Sequence, residues 1–337
     1  MRRSVLLIFA LLCLPILANA QWIKQNVDTK ASLRGLSVVN EKVVWASGTG
    51  GTVIRTIDGG KTWKVMTVPS AEKLDFRDIE AFDSSTAYIL SIGNGDASRI
   101  YKTIDGGKTW KMQFKNEDPK AFYDALACWD KRSCIAMSDP VGGHFITIST
   151  DDGSKWQDPA VNKNLATNDG EAAFAASGTC LIAQGSHNAF LVSGGSHARV
   201  FESPNRGRNW NDDYDSPFVH GSSGAGIFSI AMFDHANGVI VGGNYEKPDE
   251  HEKNLAFTTD GGATWTLKEG LSGYRSGVTY VDKNTIIAIG TNGTDLSRDG
   301  GKTWTKVGNE NLNAVQARGK NAVWAAGPNG LVAKLKT

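Results

Sequence analysis

The chain has 337 residues with 36 basic and 35 acidic side chains, a formal charge of +1. So even a balance leaves no basic footprint for nucleic acid. It also exceeds the length that one ordinary hydrophobic core organises, so it is expected to be built from repeats or a radial array.

In chain order, the first feature is Arg2-Arg3, the apolar run from Val5 to Leu17, and Ala18-Asn19-Ala20. This is the charged, apolar, small-x-small order of a secretory signal peptide over residues 1–20, with Gln21 as the mature N-terminus. The apolar run is too short for a helix that needs about 20 residues to cross a bilayer. Cys13 follows Leu11-Leu12 rather than the small residue of a lipoprotein site. Without Arg2 and Arg3 the basic residues fall to 34 against 35 acidic, a formal charge of −1. The expectation is an exported protein, periplasmic or secreted, with no stable membrane anchor.

Residues 21–337 carry a repeat. TIDGGKTW stands at 56–63 and again, letter for letter, at 103–110; TTDGGATW follows at 258–265 and SRDGGKTW at 297–304, with worn copies STDDGSKW at 149–156 and SPNRGRNW at 203–210. The closing tryptophans are 47, 46, 54, 55 and 39 residues apart, the spacing of a four-stranded propeller blade. Asp-Gly-Gly makes a tight hairpin because glycine accepts positive φ and the carboxylate takes backbone N–H bonds within the turn. The box aspartates Asp58, Asp105, Asp260 and Asp299 are therefore read as turn formers rather than catalytic acids.

A seventh blade is shared by the ends. GPNGLVAKLKT at 327–337 mirrors GTGGTVIRT at 48–56 but stops where the box would begin, and QWIKQNV at 21–27 reads like the strand after a box. Pairing the first strand with the last three closes the ring and removes an open edge. The expected fold is all-β: a single seven-bladed β-propeller, with almost no helix and a monomeric ring.

Within a blade, the box lies between the third and fourth strands and shares a face with the turn between the first and second. Those turns read as short, SGT of blade four included. The opposite, working face receives GNGDASR (93–99), DPVGGH (139–144), GSHNAFLVSGGSHAR (185–199) and NYEKPDEHEKN (244–254). Variable loops on one face of a rigid frame are the usual place for binding.

The inner strands are expected to begin at RGLSV (34), RDIEA (77), YDALA (123), EAAFA (171), FSIAM (228), RSGVT (275) and NAVQA (313), which brings Arg34, Arg77, Tyr123, Glu171, Phe228, Arg275 and Asn313 to the channel mouth, with Asp78, Asp124, Ser229 and Ser276 next to them. The candidate partner-binding set is Arg34, Arg77, Asp78, Tyr123, Asp124, Glu171, Arg275 and Ser276. Three arginines there suit a carboxylate, a phosphate or an acidic peptide. Equally, they suit simple pairing with Asp78, Asp124 and Glu171. His251, between Glu250 and Glu252, reads as part of a solvated acidic loop rather than a metal site, and Asp139 and His144 as a proline turn.

Cys128 and Cys134 can bridge across the segment WDKRS, whereas Cys180 has no evident mate. No metal or cofactor is expected: two cysteines without a histidine pair do not make four zinc ligands, and the Gly-rich sequence belongs to hairpins rather than to a dinucleotide-binding turn.

Together with the boxes, FRDIEAF, FYDALACWD, SDPVGGHF, GIFSIAMFD, NYEKPDE and SGYRSGVTY resemble the exported bacterial relatives of the photosystem II stability and assembly factor family. The resemblance covers the whole mature chain and implies a seven-bladed, non-enzymatic binding protein, an assembly or scaffold factor whose basic channel-side patch meets a protein partner. Arg34, Arg77 and Arg275 are the positions it maps to that patch. The alternative is a sialidase-like glycoside hydrolase at the same mouth, acting on an acidic glycan, for which Arg34, Arg77, Arg275, Tyr123, Glu171 and Asp78 would be the candidates. Against it, the first blade lacks Arg-Ile-Pro, and the order of these residues along the chain does not follow the sialidase pattern.

Overall fold

The computed structural model describes residues 21–157, 160–211 and 214–336; residues 1–20, with the expected signal peptide, lie outside them. Seven antiparallel blades surround a central axis. Blade one shows the pattern: Leu33–Val38, Val44–Gly48, Thr52–Thr56 and Lys64–Thr67, running outward in that order. The strands are short and their middle residues are buried, because both faces of each inner blade pack on neighbouring blades. Among the described residues the one helical element is the 3-10 turn Gly95–Ala97, and no helix is long and apolar enough to cross a membrane.

The ring closes as the terminal repeats imply. Gln21–Lys24 pairs antiparallel with Val332–Lys336, which continues to Val323–Ala326 and Ala314–Ala317. Trp22 is buried against Leu296 and Leu335, and its indole N–H donates to Thr294 Oγ1 of blade six at 2.9 Å.

Each box is a self-satisfied turn. In the first, Thr62 N and Oγ1 donate to the two oxygens of Asp58 at 2.9 and 2.6 Å, Thr56 Oγ1 donates to Asp58 Oδ1, and Gly60 N donates to Thr56 Oγ1. Gly59 and Gly60 both have positive φ. The bonds from Thr62, followed by that from Thr56, bring the Asp58 carboxyl down to about 2. The box docks on the first turn of its own blade through Gly59 N to Lys42 O. Blades also grip one another: Trp45 Nε1 donates to Asp83 O, and Trp129 Nε1 to Asn188 O.

Blade four departs from expectation. Its inner strand is Leu181–Gln184, followed by Asn188–Val192, Arg199–Ser203 and Tyr214–Asp215. The expected inner strand at 171 is instead a two-residue strand, Glu171–Ala172, attached through Gly194–Gly195 to blade five. The box-face turn is therefore Gly185–His187 rather than SGT, as the bond from Arg206 N to His187 O shows. The supposed long loop 185–199 contains a core strand. Residues 173–179, freed from the sheet, cross the channel.

Cys128 and Cys134 form a disulfide between directly paired residues of neighbouring strands. Cys180 is free and buried, and burial pushes its thiol up.

Candidate functional site

The crossing segment 173–179 plugs the channel and is held by blades on several sides. Ala173 N donates to Asp139 Oδ1 at 2.8 Å. In the other direction, Arg77 Nη1 donates to Ala175 O at 3.3 Å and Arg34 Nη1 to Ala176 O at 3.1 Å. Ser177 Oγ donates to Ser276 O, Thr179 Oγ1 meets Ser229 Oγ at 2.6 Å, and Phe174 stacks on Phe228 at 3.8 Å. Small side chains let the backbone through, and Gly178, with φ of 78°, passes where a Cβ would lie 2.3 Å from Asp78 Oδ1.

Above the plug, on the working face, is a pocket of about 370 Å³. Arg34, Arg77 and Asn313 line it beside Asp124 and Asp139, with Phe174, Phe228, Tyr245 and Tyr274 as an aromatic wall. Arg77 Nε pairs with Asp75 at 2.8 Å. No carboxylate among the described residues forms an ion pair with Arg34. Burial, and next the charge of Arg77, hold the Arg34 pKa below its ordinary value. An anion between the two guanidiniums would relieve that repulsion. Asp139 is pushed up to about 6 by burial, and burial with the charge of Asp139 raises Asp124 well above the carboxylate range.

The structure therefore gathers Arg34, Arg77, Asp124 and Ser276 from the sequence-derived set and leaves the other four elsewhere. Arg275 is wholly buried, with Nε 2.8 Å from Asp295 Oδ2 and further bonds to Ser272, Asn292 and Tyr274 O. Glu171 is spent on Arg199 at 2.5 Å and on Ser193. Tyr123 is buried in the core, edge-on to Phe114. Asp78 lies beneath the plug, accepting Ile79 N and Leu126 N, and burial raises its carboxyl to about 7. The expected pairing of the arginines with Asp78, Asp124 and Glu171 is likewise replaced, by Asp75, Asp295 and backbone carbonyls. Asp139, Phe174, Tyr245 and Tyr274 are pocket residues outside that set, whereas Phe228 and Asn313 stood in the inner-strand column without being selected. Among the described residues no group of three or more metal-ligating side chains occurs.

No curated protein matches the chain. Residues 14–127 match the family described as Photosynthesis system II assembly factor YCF48. Among solved structures, YCF48 bound to D1 peptide is 17% identical with a TM-score of 0.68, covering 94% of this chain and 95% of that one. YCF48 from Cyanidioschyzon merolae is also 17% identical, with a TM-score of 0.64 over 93% and 98% of the two chains. The Niastella koreensis GH74 enzyme is 14% identical with a TM-score of 0.60, over 92% of this chain and 53% of that one. The chain is thus a seven-bladed propeller that resembles the YCF48 assembly-factor family, in sequence over its first blades and in fold throughout.

Proposed function

We propose that this is an exported, monomeric protein-binding propeller of the assembly-factor type, working in the periplasm or outside the cell. Its working face engages an acidic segment of a partner protein at the pocket over the plug. The observation that carries this reading is the pair Arg34 and Arg77: two neighbouring guanidiniums on an open aromatic pocket, one of them bonded, among the described residues, only to a backbone carbonyl. Bidentate pairing with a carboxylate uses their remaining N–H groups, and the aromatic wall takes the adjoining apolar side chain. A relative in fold, YCF48, is seen with a D1 peptide bound, which supports a peptide as the class of ligand. The glycosidase alternative has less to work with, since Asp139 is engaged by the plug N–H of Ala173.

The test is affinity capture from the host's extracytoplasmic extract with the mature protein and an Arg34→Ala, Arg77→Ala variant, identifying both proteins and glycans. A protein retained by the first bait and lost from the second is expected. An acidic glycan captured or trimmed would replace this reading with the hydrolase, and identical captures would remove the pocket as the site.

A further inference from the structure

On the box face, several seams between blades are filled by a large side chain from the second strand. It stands one residue beyond the partner of the box Thr or Ser and reaches the box or first turn of the next blade. Trp45 of blade one donates its Nε1–H to Asp83 O, and Tyr88 of blade two sets its hydroxyl 3.0 and 2.9 Å from Lys131 O and Gly153 O. Phe190 of blade four lies against Gly262, and Trp324, in the matching place of blade seven, meets Trp63 edge-on at 5.7 Å. Blade five has Val239 there, the smallest residue of the seven. Phe257, opposite Val239 on the third strand, takes over the contact: a Cβ on Gly301 of the next box would lie 2.2 Å from its ring. Beside it the seam between blades five and six stays open as a groove of about 520 Å³.

The floor of this groove is aromatic. Phe257 is joined by Tyr280 and by Phe233, whose ring lies 5.5 Å from that of Tyr280 and is 41% exposed. The rim is basic, with Lys268, Lys283 and Lys302 all exposed to solvent. None of the three forms an ion pair among the described residues, and the acids around them are engaged elsewhere. Asp299, the one carboxylate in the lining, accepts Thr303 N and Oγ1 within its box. Asp282 pairs with Lys320 at 3.3 Å, and Asp234 accepts Ala236 N and Asn237 N. Glu269, beside Lys268, is not part of the lining.

The polar groups of the floor are also spent: Asn237 Nδ2 donates to Asp234, and Thr258 Oγ1 to Asp260. A sugar would find few free donors and acceptors there. What remains is three ammonium groups around an aromatic hollow, which complements carboxylates flanking a ring. A hollow receives a side chain, whereas a bilayer is met by a protruding apolar face.

We propose that this groove is a second docking site for a protein partner, taking an acidic segment with one aromatic side chain. The ring lies against Phe233, Phe257 and Tyr280, and carboxylates on either side of it meet the lysines. The groove is on the box face, away from Arg34 and Arg77, so the proposal goes beyond the working-face reading and does not depend on it.

The test titrates the peptide Ac-Glu-Glu-Phe-Glu-Glu-amide into ¹⁵N-labelled mature protein at low salt. The amides of Phe233, Tyr280 and Gly301 report on the groove, and those of Ala175 and Ala176 on the working face. Saturable shifts are expected at the groove, with affinity about tenfold above that for peptides carrying Gly in place of Phe or Gln in place of Glu. Phe233→Ala, and the triple variant Lys268→Gln, Lys283→Gln, Lys302→Gln, should each weaken binding at the groove about tenfold, and the triple variant should also lose most of the salt dependence. All four side chains are exposed, and the spectrum itself reports whether each variant is folded. Silence at the groove, shifts at the working face alone, equal affinity for the Gly peptide, or unchanged affinity in the triple variant would overturn the inference. So would lysine-dependent sedimentation with phosphatidylglycerol vesicles in the absence of peptide binding, which would assign this face to a membrane surface.

Discussion

Arg275 and Asp295 form an ion pair of two fully buried side chains, Nε to Oδ2 at 2.8 Å, inside the working-face edge of blade six. Asp295 also accepts from Ser272 N and Oγ, so the pair organises the loop that precedes Arg275. Removing one partner leaves a buried charge without its counterion. Arg275→Ala is expected to cost about 3–5 kcal/mol in urea unfolding, and Arg275→Met with Asp295→Leu distinctly less. Equal losses in the two variants would contradict this. For the same reason Arg275 is unsuitable as a probe of binding.

Glu80 should shape the alkaline side of the stability profile. Its carboxyl is raised from 4.5 to about 8, so the folded state holds a proton that the unfolded state releases. Stability therefore falls as pH rises from about 4.5 to about 8, and is level beyond. Asp78 acts in the same direction. The box carboxylates Asp58, Asp105 and Asp299 act oppositely: lowered to about 2, their contribution is present above the usual aspartate range and lost as pH falls through about 2. Calorimetric Tm is expected to peak near pH 4–5. Glu80→Gln should gain on the order of 1–3 kcal/mol at pH 9 and nothing at pH 4. A gain equal at both would show that the charge is not the cause.

The plug is held to the rest of the channel through close backbone approach. Gly178→Ala meets both the left-handed φ of 78° and the Asp78 carboxyl. The expected loss is about 1–3 kcal/mol, with faster amide exchange at Ala173, whose N–H group reaches Asp139. Unchanged exchange there would mean that the channel tolerates the methyl group.

Ring closure depends on one aromatic anchor. Trp22→Ala removes a buried indole and its bond to Thr294, and should cost about 3–5 kcal/mol. Trp22→Phe, which keeps most of the packing, should lose about 1 kcal/mol for the hydrogen bond plus a smaller packing change. Thermal unfolding of the two variants checks the ordering.

The propeller was legible because its turns repeat: Asp-Gly-Gly fixes each hairpin locally, so the box chemistry survives whatever the blades pack against. Closure was legible for the same reason, as Gln21–Lys24 has the form of a strand following a box. Blade four was misjudged where one strand was displaced and the next took its place. There Ala-Ala-Phe-Ala-Ala-Ser-Gly contains no β-branched residue, but neither does the paired inner strand YDALAC of blade three, so residue type does not separate a crossing segment from a strand. The charge pairs were less legible. Asp295 and Arg199 lie on third strands, far in sequence from Arg275 and Glu171, and a strand motif does not reveal which long side chain reaches across a blade. Arg34 and Arg77 were found because they begin inner strands, whereas Tyr245 and Tyr274 lie on loops whose course no periodicity fixes.

The segment through the channel touches side chains or backbone of blades one, two, three, five and six while belonging to the chain just before blade four. A propeller joined only at its rim can shed blades in sequence, each exposing the next. Here one blade cannot detach without cutting bonds on the far side of the ring. The hub ties these blades to one another, so they are expected to unfold together, with denaturant sensitivity set by their joint buried surface.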